Sequence, residues 1–180
     1  MAVTPGFHHI KSAIEVQATP EVCYQIWTDA KKIAKIIERV IGLEIKTKPE
    51  NTKIDFITSV GEIDQKIHRV NLELLPTSEI KHWLLSGPGG HLYKIENTTI
   101  FEIPNRFYCT VSTDQNDTSV QSYVTFFPDA LKQHTVVEWE IWFWRSAQKG
   151  SLTQLLSDIE DTGDNFMKDC LSDLKKFIER

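Results

Sequence analysis

Residues 151–180 read SLTQLLSDIEDTGDNFMKDCLSDLKKFIER, and this stretch decides the fold. Leu152, Leu155, Leu156, Ile159, Gly163, Phe166, Met167, Cys170, Leu171, Leu174, Phe177 and Ile178 recur at intervals of three, four and one. That spacing draws one apolar stripe along a helix. Asp158, Glu160, Asp161, Asp164, Asp169 and Asp173 occupy the other face. Ser151 and Gln154 have the spacing of a capping box, in which each side chain satisfies a backbone N–H at the helix start. At about 1.5 Å of rise per residue, one continuous helix here spans roughly 40 Å. So long a stripe needs a broad apolar surface to lie on, and the rest of the chain must supply a sheet.

Working outward, Ser12 to Ala18 alternates apolar and polar residues with the period of a half-buried strand. Thr19 then suits an N-cap and Pro20 the first helical position, where its missing N–H costs nothing. Val22, Cys23, Ile26 and Trp27 share one face of a short first helix. Asp29 caps a second, with Ile33, Ile36, Ile37 and Val40 at helical spacing and Gly42 as its expected end. From Leu43 to Trp144 the signals are strand and turn, broken at Pro76-Thr77-Ser78, Gly87-Pro88-Gly89-Gly90, Pro104-Asn105, Asp114 to Asp117 and Pro128-Asp129. Consecutive strands with short turns and no intervening helices predict an antiparallel meander. The predicted class is α+β: a curved antiparallel sheet of about seven or more strands around the C-terminal helix, with two short helices after the first strand. Residues 1–180 contain no linker or internal repeat and are expected to form one domain.

The formal charge of −5 argues against nucleic acid as a partner, because phosphate binding needs clustered Lys and Arg. Cys23, Cys109 and Cys170 are far apart and odd in number, which predicts no disulfide framework and no structural zinc. A reducing, cytoplasmic setting is expected. Met1 to Lys11 shows no secretory pattern, and no apolar run reaches the roughly 20 residues of a membrane span. Transient contact with a membrane surface stays open, as does the choice between a monomer and a weak homodimer. No phosphate loop, nucleophile elbow, zinc helix or dinucleotide fingerprint is present. Neither a metal nor another cofactor is expected.

Several short pieces resemble the START-like, or SRPBCC, superfamily with its helix-grip fold. Within it, the pattern is similar to the polyketide cyclase/dehydrase and lipid-transport group. Ser12 to Val22 resembles that group's opening strand and the start of its first helix. Cys23-Tyr24-Gln25-Ile26-Trp27-Thr28-Asp29 is similar to the end of that helix, and Pro104-Asn105-Arg106-Phe107 to its central turn. Leu174 to Glu179 matches the tail in character. Extra strand-like sequence between Lys66 and Ile95 implies an added hairpin or longer strands. The glycine-rich loop of the pollen-allergen branch is absent near Pro49 to Lys53, which leaves the plant-hormone-binding branch unsupported.

The resemblance implies a cavity between sheet and helix. The residues expected to line it are Trp27, Ile37, Phe56, His68, Leu72, His82, Tyr93, Phe101, Tyr123, Trp139, Ile159, Gly163, Phe166, Met167 and Cys170. Trp83 joins them as a large side chain able to orient an aromatic ligand. His68 beside Val70 and Leu72, and His82 beside Ile80 and Leu84, are expected on the inner face by alternation. There an imidazole either holds a ligand or sits satisfied by a neighbour. Arg106 is expected to serve its turn. Thr135, Val137, Trp139, Ile141 and Phe143 form one face of the last strand, so Glu138, Glu140, Trp142 and Trp144 look outward. Gly163 either makes room beneath the helix or lets it bend. Three functions remain open on these residues: binding or transport of a small hydrophobic lipid, isoprenoid or aromatic molecule; polyketide cyclase, aromatase or dehydratase chemistry; and a protein-interaction module without ligand. A packed interior favours the last, and a roomy apolar cavity the first.

Overall fold

The structure, a computed structural model, describes residues 6–47, 52–59, 67–75, 78–113, 120–145 and 151–180. β1 (Gly6–Val16) is followed by α1 (Pro20–Trp27) and α2 (Ala30–Ile36). Then come β2 (Val40–Thr47), β3 (Thr52–Ser59), β4 (Ile67–Leu74), β5 (Glu79–Ser86), β6 (Leu92–Ile103), β7 (Phe107–Ser112), β8 (Val120–Asp129) and β9 (His134–Arg145). α3 (Ser151–Thr162) and α4 (Phe166–Ile178) close the chain. Seven strands form one antiparallel sheet in the order β1-β9-β8-β7-β6-β5-β2.

The caps of α1 and α2 act as the sequence predicts, while the Ser151 side chain of the predicted capping box lies outside the described residues. Thr19 Oγ1 accepts from Val22 N, and Asp29 Oδ1 accepts from Lys32 N. α2 stops earlier than expected, with Ile37 as its C-cap. Val40 to Thr47 is a strand, and Gly42 lies in it at a bulge against β5 instead of ending a helix. The apolar spacing at Val40 is a period that helix and strand both satisfy over so short a run.

The helices lie on one face of the sheet. α4 buries Phe166, Met167, Cys170, Leu171 and Leu174, each large side chain contributing about 2 kcal/mol by leaving water. They meet Val16, Val137, Ile141 and Phe143 from β1 and β9 in the main core. Lys175 Nζ donates to the Glu15 carbonyl (2.8 Å), and Gln17 N donates to Glu179 Oε1 (2.8 Å), which ties the end of α4 to β1.

The C-terminal stripe is not one straight helix. It breaks at Gly163, whose φ of +67° is left-handed, and resumes at Phe166. Arg39 brackets the break, reaching Asp164 (3.2 Å) and Asp169 (2.9 Å) while its Nη1 donates to the Ser86 carbonyl.

Of the extra strand sequence expected between Lys66 and Ile95, β4 does not join the main sheet: it pairs with the earlier β3 as a separate two-stranded ladder. Ile54, Leu72 and Leu74 pack on Val111 and Ile100, on the sheet face turned away from the helices.

Candidate functional site

Alternation along the central strands sends Trp83 and Leu85 of β5, Ile95 and Asn97 of β6, Tyr108 and Thr110 of β7, and Ser122 of β8 to the helix side. With Trp139 and Ile141 of β9 they wall a cavity of about 150 Å³. Trp27, Ile33, Ile37, Leu155, Leu156, Phe166 and Cys170 roof it from the helices. Trp27 meets Trp139 edge-on, with ring centroids 5.2 Å apart, and Trp139 lies against Phe166 at 6.4 Å. The two indole N–H groups are already satisfied. Trp83 Nε1 donates to Asn97 Oδ1 (3.0 Å), and Trp139 Nε1 donates to Ser122 Oγ (2.8 Å). Their rings therefore offer the cavity apolar faces without stranding a polar atom.

One end of the cavity is polar. Lys81 is 8% exposed, and its Nζ donates to Tyr108 Oη (3.3 Å) and Thr99 Oγ1 (3.4 Å). Those two hydroxyls bond each other at 2.6 Å. Beyond them lies a wider polar cleft of about 560 Å³, bordered by Asp29, Lys31, Ser78, Glu79 and Glu102. Thr28, Ala30, Lys81 and Tyr108 border both spaces. The α1–α2 junction and β5–β7 thus form a neck between an apolar chamber and a polar cleft. Tyr24 Oη donates to Glu102 at the outer rim. Burial and that carboxylate hold its phenol far above the ordinary range, so it stays a donor.

Trp27, Ile37, Trp139, Phe166 and Cys170 of the expected residues line the cavity, as does Trp83. Ile159 and Met167 are buried in the surrounding core without bordering it. Tyr93 is buried at the edge of the core, and its Oη donates to Asp158 Oδ2 at 2.5 Å. Burial, then that carboxylate, pushes the phenol up to about 12.

The others lie elsewhere. Gly163 is exposed at the helix break, and a Cβ there would meet nothing within 4 Å. Leu72 belongs to the hairpin cluster. His82 is on the outer face, because Lys81, Trp83 and Leu85 take the inner positions of β5. Its Nδ1 faces Glu96 at 3.2 Å, and its buried Nε2 has no partner among the described residues. Phe101 and Tyr123 are also outward: they pair with Cys109 from opposite sides, Phe101 is 55% exposed, and Tyr123 donates to Gln121. The side chains of Phe56, His68 and Trp144 lie outside the described residues. Glu138 and Glu140 face outward, paired with Lys11 and His9, and Trp142 stacks on His9 at 4.2 Å.

Lys81, Asn97, Tyr108, Thr110, Ser112 and Ser122 are polar residues lining the cavity that sequence reading did not single out. In Ile80-Lys81-His82-Trp83-Leu84-Leu85 the period is clear but the face is ambiguous. Ile80 is 1% exposed and Lys81 8%, so both faces of β5 are covered and apolar residues mark both. Trp83 and Leu85, two apart, were the available signal for the inner set.

Among the described residues no group of His, Cys, Asp and Glu is arranged to hold a metal, and no helix is long and apolar enough to cross a membrane. No protein-family model matches the chain, and no curated protein matches it in sequence. Solved structures match its fold. The Zhui aromatase/cyclase from Streptomyces sp. R1128 superposes with a TM-score of 0.65 at 12% identity, covering 97% of this chain and 95% of that one. A START superfamily protein from Mycobacterium smegmatis gives 0.61 at 12% identity, over 96% and 97% of the two chains. A norcoclaurine synthase point mutant from Thalictrum flavum, in complex with a transition-state analogue, gives 0.60 at 12% identity, over 98% and 96%. The chain has the START-like, helix-grip fold of these structures.

Proposed function

We propose that the protein binds a small, largely apolar molecule, about one ring in size, in the chamber beneath α1, α2 and the C-terminal helices. The observation that carries this reading is the chamber itself: about 150 Å³ lined by Trp27, Trp83, Trp139 and Phe166, with the indole N–H groups of Trp83 and Trp139 satisfied within the wall. An engineered cavity of similar size takes up benzene. Apolar ligand surface buried there contributes about 25 cal/mol per Å² to binding. A space of this kind counts against an interaction module with a packed interior.

Titration with indole or toluene tests it. Bound ligand should shift the indole Nε1 resonances of Trp83 and Trp139, and Leu85→Trp, which fills the chamber, should abolish the shifts. Unmoved resonances up to the solubility limit of both compounds would overturn the reading.

A second reading, aromatase or cyclase chemistry, is supported by the Lys81–Thr99–Tyr108 chain of hydrogen bonds at the chamber wall. Such a chain moves protons to and from a bound carbonyl compound. It predicts turnover that disappears in Tyr108→Phe while binding persists.

A further inference from the structure

Resting on the ligand-binding reading, we propose that the ligand is a carboxylic acid, its apolar body in the chamber and its carboxylate held at the neck by Lys81, Tyr108 and Thr99. Lys81 is nine-tenths buried, yet both its hydrogen-bond partners are neutral hydroxyls, at 3.3 and 3.4 Å. Among the described residues no carboxylate forms an ion pair with it. Burying an ammonium without a counter-charge is costly, and proteins pair such groups. An ammonium has three donors, and two are used here, both on hydroxyls that can be exchanged for a stronger acceptor.

Tyr108 and Thr99 add O–H groups beside it. One of those two O–H groups donates to the other at 2.6 Å; the remaining O–H and the third ammonium N–H are two donors that converge where the chamber meets the cleft, which suits a group with two acceptor oxygens. Asp29, Glu79 and Glu102 border the cleft, with Lys31 opposing them. These carboxylates border the polar cleft, where solvent and salt screen them more than in the chamber. The ammonium stands at the edge of the apolar chamber, where its attraction for an anion is less screened. The apolar wall then decides which acids fit: the body must fill a chamber of about 150 Å³, about one ring, while the head stays at Lys81.

The test compares 3-phenylpropanoic acid, 3-phenylpropanamide and 3-phenylpropan-1-ol, which share a body and differ in the head. Dissociation constants are read from the Trp83 and Trp139 indole resonances at pH 7.5. The acid should bind at least tenfold more tightly than the amide or the alcohol. Lys81→Met keeps the aliphatic stem and should remove that preference, weakening the acid at least tenfold while the alcohol changes less than twofold. Lys81→Arg should retain a preference for the acid. Equal affinity for acid and amide, or a Lys81→Met variant that weakens acid and alcohol alike, would overturn the carboxylate site and leave the binding reading standing. No binding of any of the three, with indole and toluene also silent, would remove both. If Lys81→Met does not fold, the comparison of heads on the unaltered protein decides alone.

Discussion

Gly87 has ordinary extended backbone, with φ of −103°, so space rather than conformation explains it. A Cβ there would overlap the Tyr93 ring and lie 2.7 Å from Leu155 Cδ1. Gly87→Ala should therefore destabilise by about 1–3 kcal/mol, the usual cost of overpacking, read as a lower midpoint in urea at unchanged slope. Tyr93 itself holds α3 through Asp158, whose other oxygen accepts from Gln154. Tyr93→Phe should cost about 1.5 kcal/mol, as for hydrogen bonds to charged groups. The sign with pH is fixed by the direction of the shift. The folded phenol is raised to about 12, so its contribution is full below the unfolded value of about 10 and is lost as pH rises from there through 12. Stability measured between pH 9 and 12 should fall more steeply in the unaltered protein than in Tyr93→Phe; parallel curves would refute the assignment. Neither partnership was legible in the sequence. Tyr93 and Asp158 are 65 residues apart, and only the packing of α3 over β6 brings them together.

At the level of elements, the sequence read well where one face is wet and poorly where both are covered. β1 and β9 alternate cleanly, and their inner residues, from Val16 to Phe143, sit in the core as the pattern says. β5 is buried on both faces, so the same rule assigned His82 inward and passed over Lys81. The break between α3 and α4 is a different case. A stripe with helical period runs across a kink unnoticed, because both segments face one sheet. Gly163 was the single mark of it, and its left-handed φ is now the reason for the glycine. Gly163→Ala has open space for its Cβ, so the left-handed backbone alone should cost about 1–2 kcal/mol. A stabilised variant would mean that a continuous helix competes with the broken one. Arg39→Ala removes the two carboxylate contacts and the stacking on Phe166, 5.7 Å from its ring centroid. Because Arg39 is partly solvated, the cost should be modest, about 1 kcal/mol. Hydrogen exchange should rise first at residues 163–166.

The whole molecule is a sheet gripped by a thinner layer of helices, and the three cysteines report on the two layers separately. Cys23 lies on α1, Cys170 on α4 at the chamber roof, and Cys109 on β7 in the middle of the sheet. All three are buried free thiols. Burial pushes Cys23 up to about 11, and Cys109 and Cys170 up to about 12, so each is unreactive until its surroundings open. β7 is bonded on both sides, to β6 and β8, so exposing Cys109 means breaking the sheet. The helix layer is held by side-chain packing and a few polar ties at its ends, and it covers a space that is not filled. Local opening should therefore expose Cys170 and Cys23 at lower free energy than Cys109. Maleimide labelling of native protein, resolved by peptide mass, should modify Cys23 and Cys170 before Cys109, the last at a rate matching global unfolding. A ligand seated in the chamber should slow Cys170 selectively, since it fills the space beneath that thiol, and leave Cys109 unchanged. Equal rates at all three sites would mean that helices and sheet open as one unit, and a ligand would then have to enter through the neck at Lys81 without lifting the roof.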